Sequence, residues 1–323
     1  MALYHFSVKP ISRKSHGSAV AAAAYRTGQT LIDGNGVKHK YPHSERVSFR
    51  EIIVPDGEPL ISREELWKLA DKSEKRKDGR VAREFELALQ HELSPGQNLE
   101  LVEQLVQAIV KQHHVAVDVN IHNYGVHDDN DNPDDKNCIP NVHVHIMMTT
   151  REYHGGVLTV KTDMEREDKA LKAEGKATGR QQIEHWREMW ADIVNDAFAR
   201  HGVRERICHL SLATQGIKRP PQKHEGPKVN ALRRRGIYTT TSAHNQAIKE
   251  LYPEENTIPL DMDDELKINY TASRWNNELI LQAKYRREFE QRSLRNIEKQ
   301  FRIEDSKDMS KQREVKYNAN QHL

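Results

Sequence analysis

Two histidines stand one residue apart in "NVHVHIMM", His143 and His145, inside a run that is otherwise apolar. Side chains on a strand alternate between faces. Asn141, His143 and His145 therefore share one face, and Val142, Val144 and Ile146 the other. The apolar face suits a core and the imidazoles suit a ligand. A second alternating run, "VAVDVNIH" (115–122), sets Asp118, Asn120 and His122 against Val117, Val119 and Ile121. A third, "VAREFELALQHEL" (81–93), sets Glu84, Glu86 and Ala88 against Phe85, Leu87 and Leu89. If the three strands lie in one sheet, His122, His143 and His145 converge on a divalent cation. Neutral imidazole is a common metal ligand, and a carboxylate behind it can fix its tautomer; Asp118 is the candidate for that part. Three histidine ligands leave positions open, as a catalytic ion requires. His113, His114 and His127 remain rivals for the third ligand on spacing alone.

Tyr25 is the second chemical element. It follows "SAVAAAA", a helix-favouring run with Ser18 as N-cap. A phenol, with a pKa of about 10 in water, is a weak nucleophile until a nearby cation favours its phenolate. A metal that polarises a phosphate oxygen also stabilises charge on the attacking and leaving oxygens. Tyrosine beside a histidine-held ion is thus suited to forming a phosphotyrosine bond in nucleic acid, and the alanines before it would let a DNA strand approach closely.

The positioning elements can be read in outline. Extended segments are predicted at 3–10 and 46–55, a helix at 62–79 opened by a Ser62–Glu65 capping box, and a helix at 94–114. The segment 165–180 is too polar to carry a core, whereas 181–202 is an amphipathic helix through Ile183, Trp186, Trp190, Ile193, Val194 and Ala197. Strand–loop–strand succession without a βαβ glycine loop predicts an α+β fold, a central antiparallel sheet with helices on one face, the 122–141 connection closing a long hairpin. Prolines and glycines at 220–227 mark a boundary near 226. Residues 1–226 would form the catalytic domain and 227–323 a charged extension, helical at 240–251 and 262–300, with a disordered tail.

Composition narrows the class. The 323 residues are 30% charged and 36% hydrophobic, with a formal net charge of +2. No apolar run approaches the ~18 residues of a membrane span, so no membrane insertion is expected. Two cysteines, Cys138 and Cys208, give no disulfide framework and point to a reducing cytoplasm. The net charge alone does not argue for nucleic acid, but basic clusters at 75–80, 216–224 and 231–236 suit phosphate contacts. Arg26, Lys218 and Arg219 are the candidate DNA contacts.

The segments "YHFSVKPISRKSHGSAVAAAAYRTGQTL", "AREFELALQHEL", "VDVNIH", "NVHVHIMMTTRE" and "WREMWADIVNDAFARHG" together resemble the MobA/MobL family of plasmid relaxases, in order from residue 2 to about 227. The resemblance implies a central antiparallel sheet carrying the metal site, with helices around it. It implies cleavage of one DNA strand at the nic site of a transfer origin, through a tyrosine linked to the 5′ phosphate, and later religation. Position by position, the nucleophile falls on Tyr25, the metal ligands on His122, His143 and His145, and an acidic residue on Glu86. The implied cofactor is Mg²⁺ or Mn²⁺. The implied partners are single-stranded plasmid DNA, accessory mobilisation proteins and a coupling protein. No phosphate-cradling Gly-x-x-x-x-Gly-Lys-Ser/Thr loop occurs, so ATP use is not expected. Two other readings remain: a replication initiator or transposase using the same chemistry, and a non-enzymatic origin-binding or repressor protein.

Overall fold

The computed structural model describes residues 2, 4–41, 47–124 and 141–252. The elements run β1 (Phe6–Ser12), α1 (Arg13–His16), α2 (Ala19–Thr27), β2 (Leu31–Ile32), β3 (Lys38–His39), β4 (Val47–Ile53), α3 (Arg63–Ser73) and β5 (Arg80–Ala88). There follow α4 (Pro95–His113), β6 (Val117–Tyr124), β7 (Asn141–Thr149), β8 (Arg151–His154), β9 (Val157–Lys161), a 3-10 turn (Asp163–Glu165), α5 (Asp168–Ala173), α6 (Gly179–Arg200), α7 (Pro227–Arg234) and α8 (Thr240–Leu251). The predicted helix at 240–251 is α8; the run at 262–300, His127 and Cys138 lie outside the described residues.

The helix starts are chemically specified. Ser62 and Glu65 close a capping box on α3, as do Ser94 and Gln97 on α4 and Thr178 and Gln181 on α6. Each satisfies two backbone N–H groups that a helix start leaves without a partner. Pro95 at the start of α4 gives up no hydrogen bond there. The polar stretch at 165–180 is more ordered than its composition suggests, because α5 buries Leu171 and Thr178 begins α6.

The central sheet has five strands in the order β1-β5-β7-β6-β4, each antiparallel to its neighbour. The three alternating runs of the sequence are its three central strands. Register is the informative part: His122 lies opposite His143, and His145 lies between Asn120 on one side and Glu86 on the other. A slip of one residue would turn every side chain of a strand to the other face. The hydrophobic alternation thereby fixes the histidines as well as the core.

On the apolar face, Phe85, Leu87, Val117, Val119, Val144 and Ile146 pack with α4 and α6, including Leu105, Ile109, Trp186, Trp190 and Phe198. Each large side chain fully buried there contributes about 1.5–3 kcal/mol. Helices cover both faces of the sheet, where the alternation predicted one. At one end of the histidine face, Ala82, Ala116 and Met147 pack with Ala19, Val20 and Ala23 of α2 and with Leu66, Trp67 and Ala70 of α3. Small side chains at that end of the polar face leave room for two helices, which the period-two pattern does not display. Beyond the sheet, Asn245 of α8 accepts from the Lys223 N–H and donates to the Lys223 carbonyl, tying α8 to the segment before α7.

Candidate active site

His143 and His145 project from β7 and His122 from β6, and their rings gather into one cluster. Centroid separations are 4.5 Å for His122–His145, 4.9 Å for His143–His145 and 5.4 Å for His122–His143. One ring nitrogen from each lies within 4.8 Å of the other two. His122 and His145 are buried, while His143 is half-buried. Two of the rival ligands, His113 and His114, lie elsewhere. His113 is buried against Trp186, ring centroids 5.5 Å apart, where burial pushes its pKa down to about 4. His114 stacks on His154.

Of the two glutamates on β5, Glu84 and not Glu86 bonds the cluster. Its Oε1 accepts from Nδ1 of His145 at 2.7 Å, which presents the other ring nitrogen, Nε2, as the lone-pair donor. The same carboxylate accepts two bonds from Arg26, from Nε at 2.5 Å and from Nη2 at 2.7 Å. Burial alone would raise the pKa of Glu84, which is 1% exposed; the bonds and charges of His145 and Arg26 overcome it and hold the group well below the usual carboxylate range. Glu86 sits nearer the rim, bound by Lys9 Nζ at 2.5 Å and 3.9 Å from His145 Nδ1.

Arg26 is the piece the sequence did not reveal as such. It is buried, its guanidinium is taken up by Glu84 and the Ala22 carbonyl, and its own carbonyl accepts from Nε2 of His122 at 2.5 Å. It therefore points into the site rather than outward toward a phosphate. Through Arg26 the last turn of α2 is fixed to both β5 and β6. Tyr25, the preceding residue, is 48% exposed, with its ring edge-to-face against Tyr41 at 5.3 Å. Gly28 ends the helix in the left-handed conformation that favours glycine. Of the other two candidate DNA contacts, Lys218 is exposed and Arg219 half-buried, both on the irregular segment before α7.

Asp118 is fully buried and, among the described residues, bonds to no histidine. Its Oδ2 accepts from Arg63 Nε and Trp67 Nε1, both at 2.9 Å, and its Oδ1 from Asn120 Nδ2 at 2.8 Å. It anchors α3 to the sheet, and Arg63 reaches on to Gln29 just after α2. Asp118→Ala would leave the Arg63 charge without its partner, so unfolding in urea should show a loss of about 3–5 kcal/mol. The metal affinity of the folded protein should escape the roughly 10–100-fold loss that follows removal of a carboxylate holding a ligand histidine.

The three imidazoles fit a divalent ion: three nitrogen donors, one oriented by a carboxylate, with one ring open to solvent. The sequence profile of the MobA/MobL family matches residues 17–235, a span that holds Tyr25, Glu84 and all three histidines.

The chain belongs to the MobA/MobL family.

Two relatives illustrate the likeness. Mobilization protein MobL of Acidithiobacillus ferridurans is 32% identical over 252 residues, which cover 73% of this chain and 65% of that protein. The 43 kDa relaxation protein of Salmonella typhimurium is 31% identical over 168 residues, 48% of this chain and 42% of that protein. The chain thus spans less than two thirds of either relative. A solved structure described as the molecular basis of vancomycin resistance transfer in Staphylococcus aureus superimposes with a TM-score of 0.50 and 24% identity. It covers 65% of this chain and 100% of that one, and it shows the fold. Among the described residues, no helix of this MobA/MobL protein is long and apolar enough to cross a membrane.

Proposed function

We propose that this protein is a plasmid mobilisation relaxase that cuts one DNA strand at the nic site of a transfer origin and later rejoins it. The observation that carries the reading is the attachment of the Tyr25 helix to the histidine cluster through Arg26, which bonds Glu84 with its side chain and His122 with its carbonyl. A half-exposed phenol is thereby held on a fixed turn beside a site for a divalent ion. Relatives named for mobilization and relaxation support the same reading.

In this mechanism Tyr25 Oη attacks the scissile phosphorus. An Oη–P bond forms and the P–O3′ bond breaks, which leaves a 5′-phosphotyrosine and a free 3′ hydroxyl. The phenol proton leaves to solvent at this half-exposed position, and the departing 3′ oxygen takes one up. A divalent ion, Mg²⁺ or Mn²⁺, held by His122, His143 and His145 would supply Lewis-acid polarisation of the phosphate. Glu84 keeps the His145 ring in one tautomer and orientation, and Arg26 holds Glu84 ionised. One phosphodiester is exchanged for another, so the reverse attack by a 3′ hydroxyl restores the strand without a further energy source.

Lys218 and Arg219 would contact the DNA backbone, so binding should weaken with salt as phosphate neutralisation releases counterions. Accessory and coupling proteins would meet the extension beyond residue 226.

The test is incubation of the full-length protein with labelled single-stranded oligonucleotides spanning candidate transfer origins, with Mn²⁺ or Mg²⁺ and with EDTA. A denaturant-resistant protein–DNA band that forms with metal and disappears with EDTA is the expected result. Tight binding to a verified origin with no such band under any metal would replace the relaxase with an origin-binding protein.

A further inference from the structure

We infer that Glu58, His114 and His154 form a second divalent-metal site, sharing no ligand with the three-histidine cluster. Three separate segments supply it: the loop after β4, the residue that ends α4, and the end of β8. His114 Nε2 lies 3.2 Å from Glu58 Oε1, and His154 Nδ1 lies 3.3 Å from the same oxygen. All three ligand atoms fall within 4.8 Å of one another. The shorter spacing is at the upper end of the N–H···O range of about 2.7–3.2 Å, and the longer lies just past it. They match the edge of a tetrahedron with metal–ligand bonds of about 2.0–2.1 Å, roughly 3.3 Å.

The surroundings are arranged as a metal site requires. His154 Nε2 lies 3.0 Å from Glu152 Oε2, a carboxylate–histidine pairing that in the neutral ring would turn Nδ1 toward Glu58 as the ligand nitrogen. Glu58 is steadied by the Gly155 N–H on its other oxygen, Oε2, at 2.5 Å. The two imidazoles stack at 4.1 Å and 19°, so both rings are held side by side. The backbone is tied as well: Tyr153 N–H donates to the His114 carbonyl at 2.8 Å, and Tyr153 Oη to the Pro59 carbonyl at 2.9 Å.

His114 is itself unusual. It caps α4 at φ 50° and ψ 41°, the one non-glycine residue with positive φ among those described. Glycine or asparagine is the usual occupant of such a cap. A histidine at this cap sets its ring beside Glu58 and His154. Glu58 and Glu152 place two carboxylates beside the two imidazoles. Two nitrogens and one carboxylate oxygen, with the imidazoles half exposed to a fourth, water ligand, form a donor set for Zn²⁺ or Co²⁺ rather than for a hard oxygen-seeking ion. Bound there, the ion would clamp the β8–β9 hairpin to the end of α4 and the loop after β4.

The measurement is metal stoichiometry on the full-length protein. Chelator-stripped protein is dialysed against micromolar Zn²⁺ and assayed by mass spectrometry of the metal, and Co²⁺ is titrated with visible absorption as the reporter of tetrahedral geometry. Wild type, His154→Gln and His114→Asn are compared, the last chosen because asparagine tolerates the left-handed cap. Melting curves in EDTA establish that each variant folds. The expected result is the loss of one equivalent of Zn²⁺, and of a tetrahedral Co²⁺ band, in both variants, with the metal-dependent DNA adduct retained. An unchanged stoichiometry in either folded variant would overturn the site and leave a hydrogen-bonded histidine–carboxylate cluster only.

Discussion

Tyr25→Phe is expected to abolish the covalent protein–DNA adduct, with strand cleavage falling by about 10⁴-fold or more, while the affinity for origin DNA stays close to wild type. Removing an attacking atom costs the whole nucleophilic pathway, and losses of this size are typical when a member of a catalytic unit is deleted. The substitution is structurally mild because the residue is 48% exposed and its ring keeps its edge-to-face contact with Tyr41. A gel shift with a non-cleaved oligonucleotide, run beside a denaturing gel of the adduct, reads the two effects separately. Should the phenylalanine variant still form the adduct, Tyr25 is not the nucleophile and another hydroxyl must be sought on the same face.

The second large effect concerns the two glutamates of β5. Glu84→Gln should reduce metal affinity by about 10–100-fold, because Glu84 orients His145. It should also lower stability by about 3–5 kcal/mol, because the Arg26 guanidinium is left buried without its counter-charge. Glu86→Gln removes a pair that is half exposed on its lysine side, and a loss of about 0–1 kcal/mol is expected. Calorimetric titration with Mn²⁺ and urea unfolding on both variants would decide the ranking. A larger effect from Glu86→Gln on metal binding would return the acidic role to Glu86 and make Glu84 a structural residue.

Much of this was legible in the chain because the same alternation that hides Val144 and Ile146 exposes His143 and His145, and because capping residues announce α3 and α4. Strand adjacency was partly legible: antiparallel neighbours joined by one connection, such as β6 and β7, follow from sequence order. The insertion of β5 between β1 and β7 does not, since it joins segments more than fifty residues apart through contacts with no local signature. Glu84 and Glu86 illustrate the limit. Period two places both on the histidine face, and only the register, together with the reach of Arg26 from a helix on that face, separates the one that touches His145 from the one that Lys9 holds at the rim. Arg26 drew attention for its charge, yet its part in the site depends on a burial no local pattern shows. Spacing admits His114 as a candidate third ligand of the histidine cluster, because a spacing says nothing of which way a helix cap turns.

The alanines of α2 have a consequence for how variation in this protein would read. Ala19, Ala23 and Ala24 are fully buried, in the same packed layer as Ala82 and Ala116 of the sheet. The height of the helix above the strands is therefore set by methyl groups, and the phenol of Tyr25 and the carbonyl of Arg26 inherit that height together. Added bulk in such a layer forces backbone shifts. In a saturation scan, a position such as Ala23 would then behave like part of the reaction centre while touching no reacting atom. Its tolerance would be graded by the volume added rather than by any chemistry gained or lost.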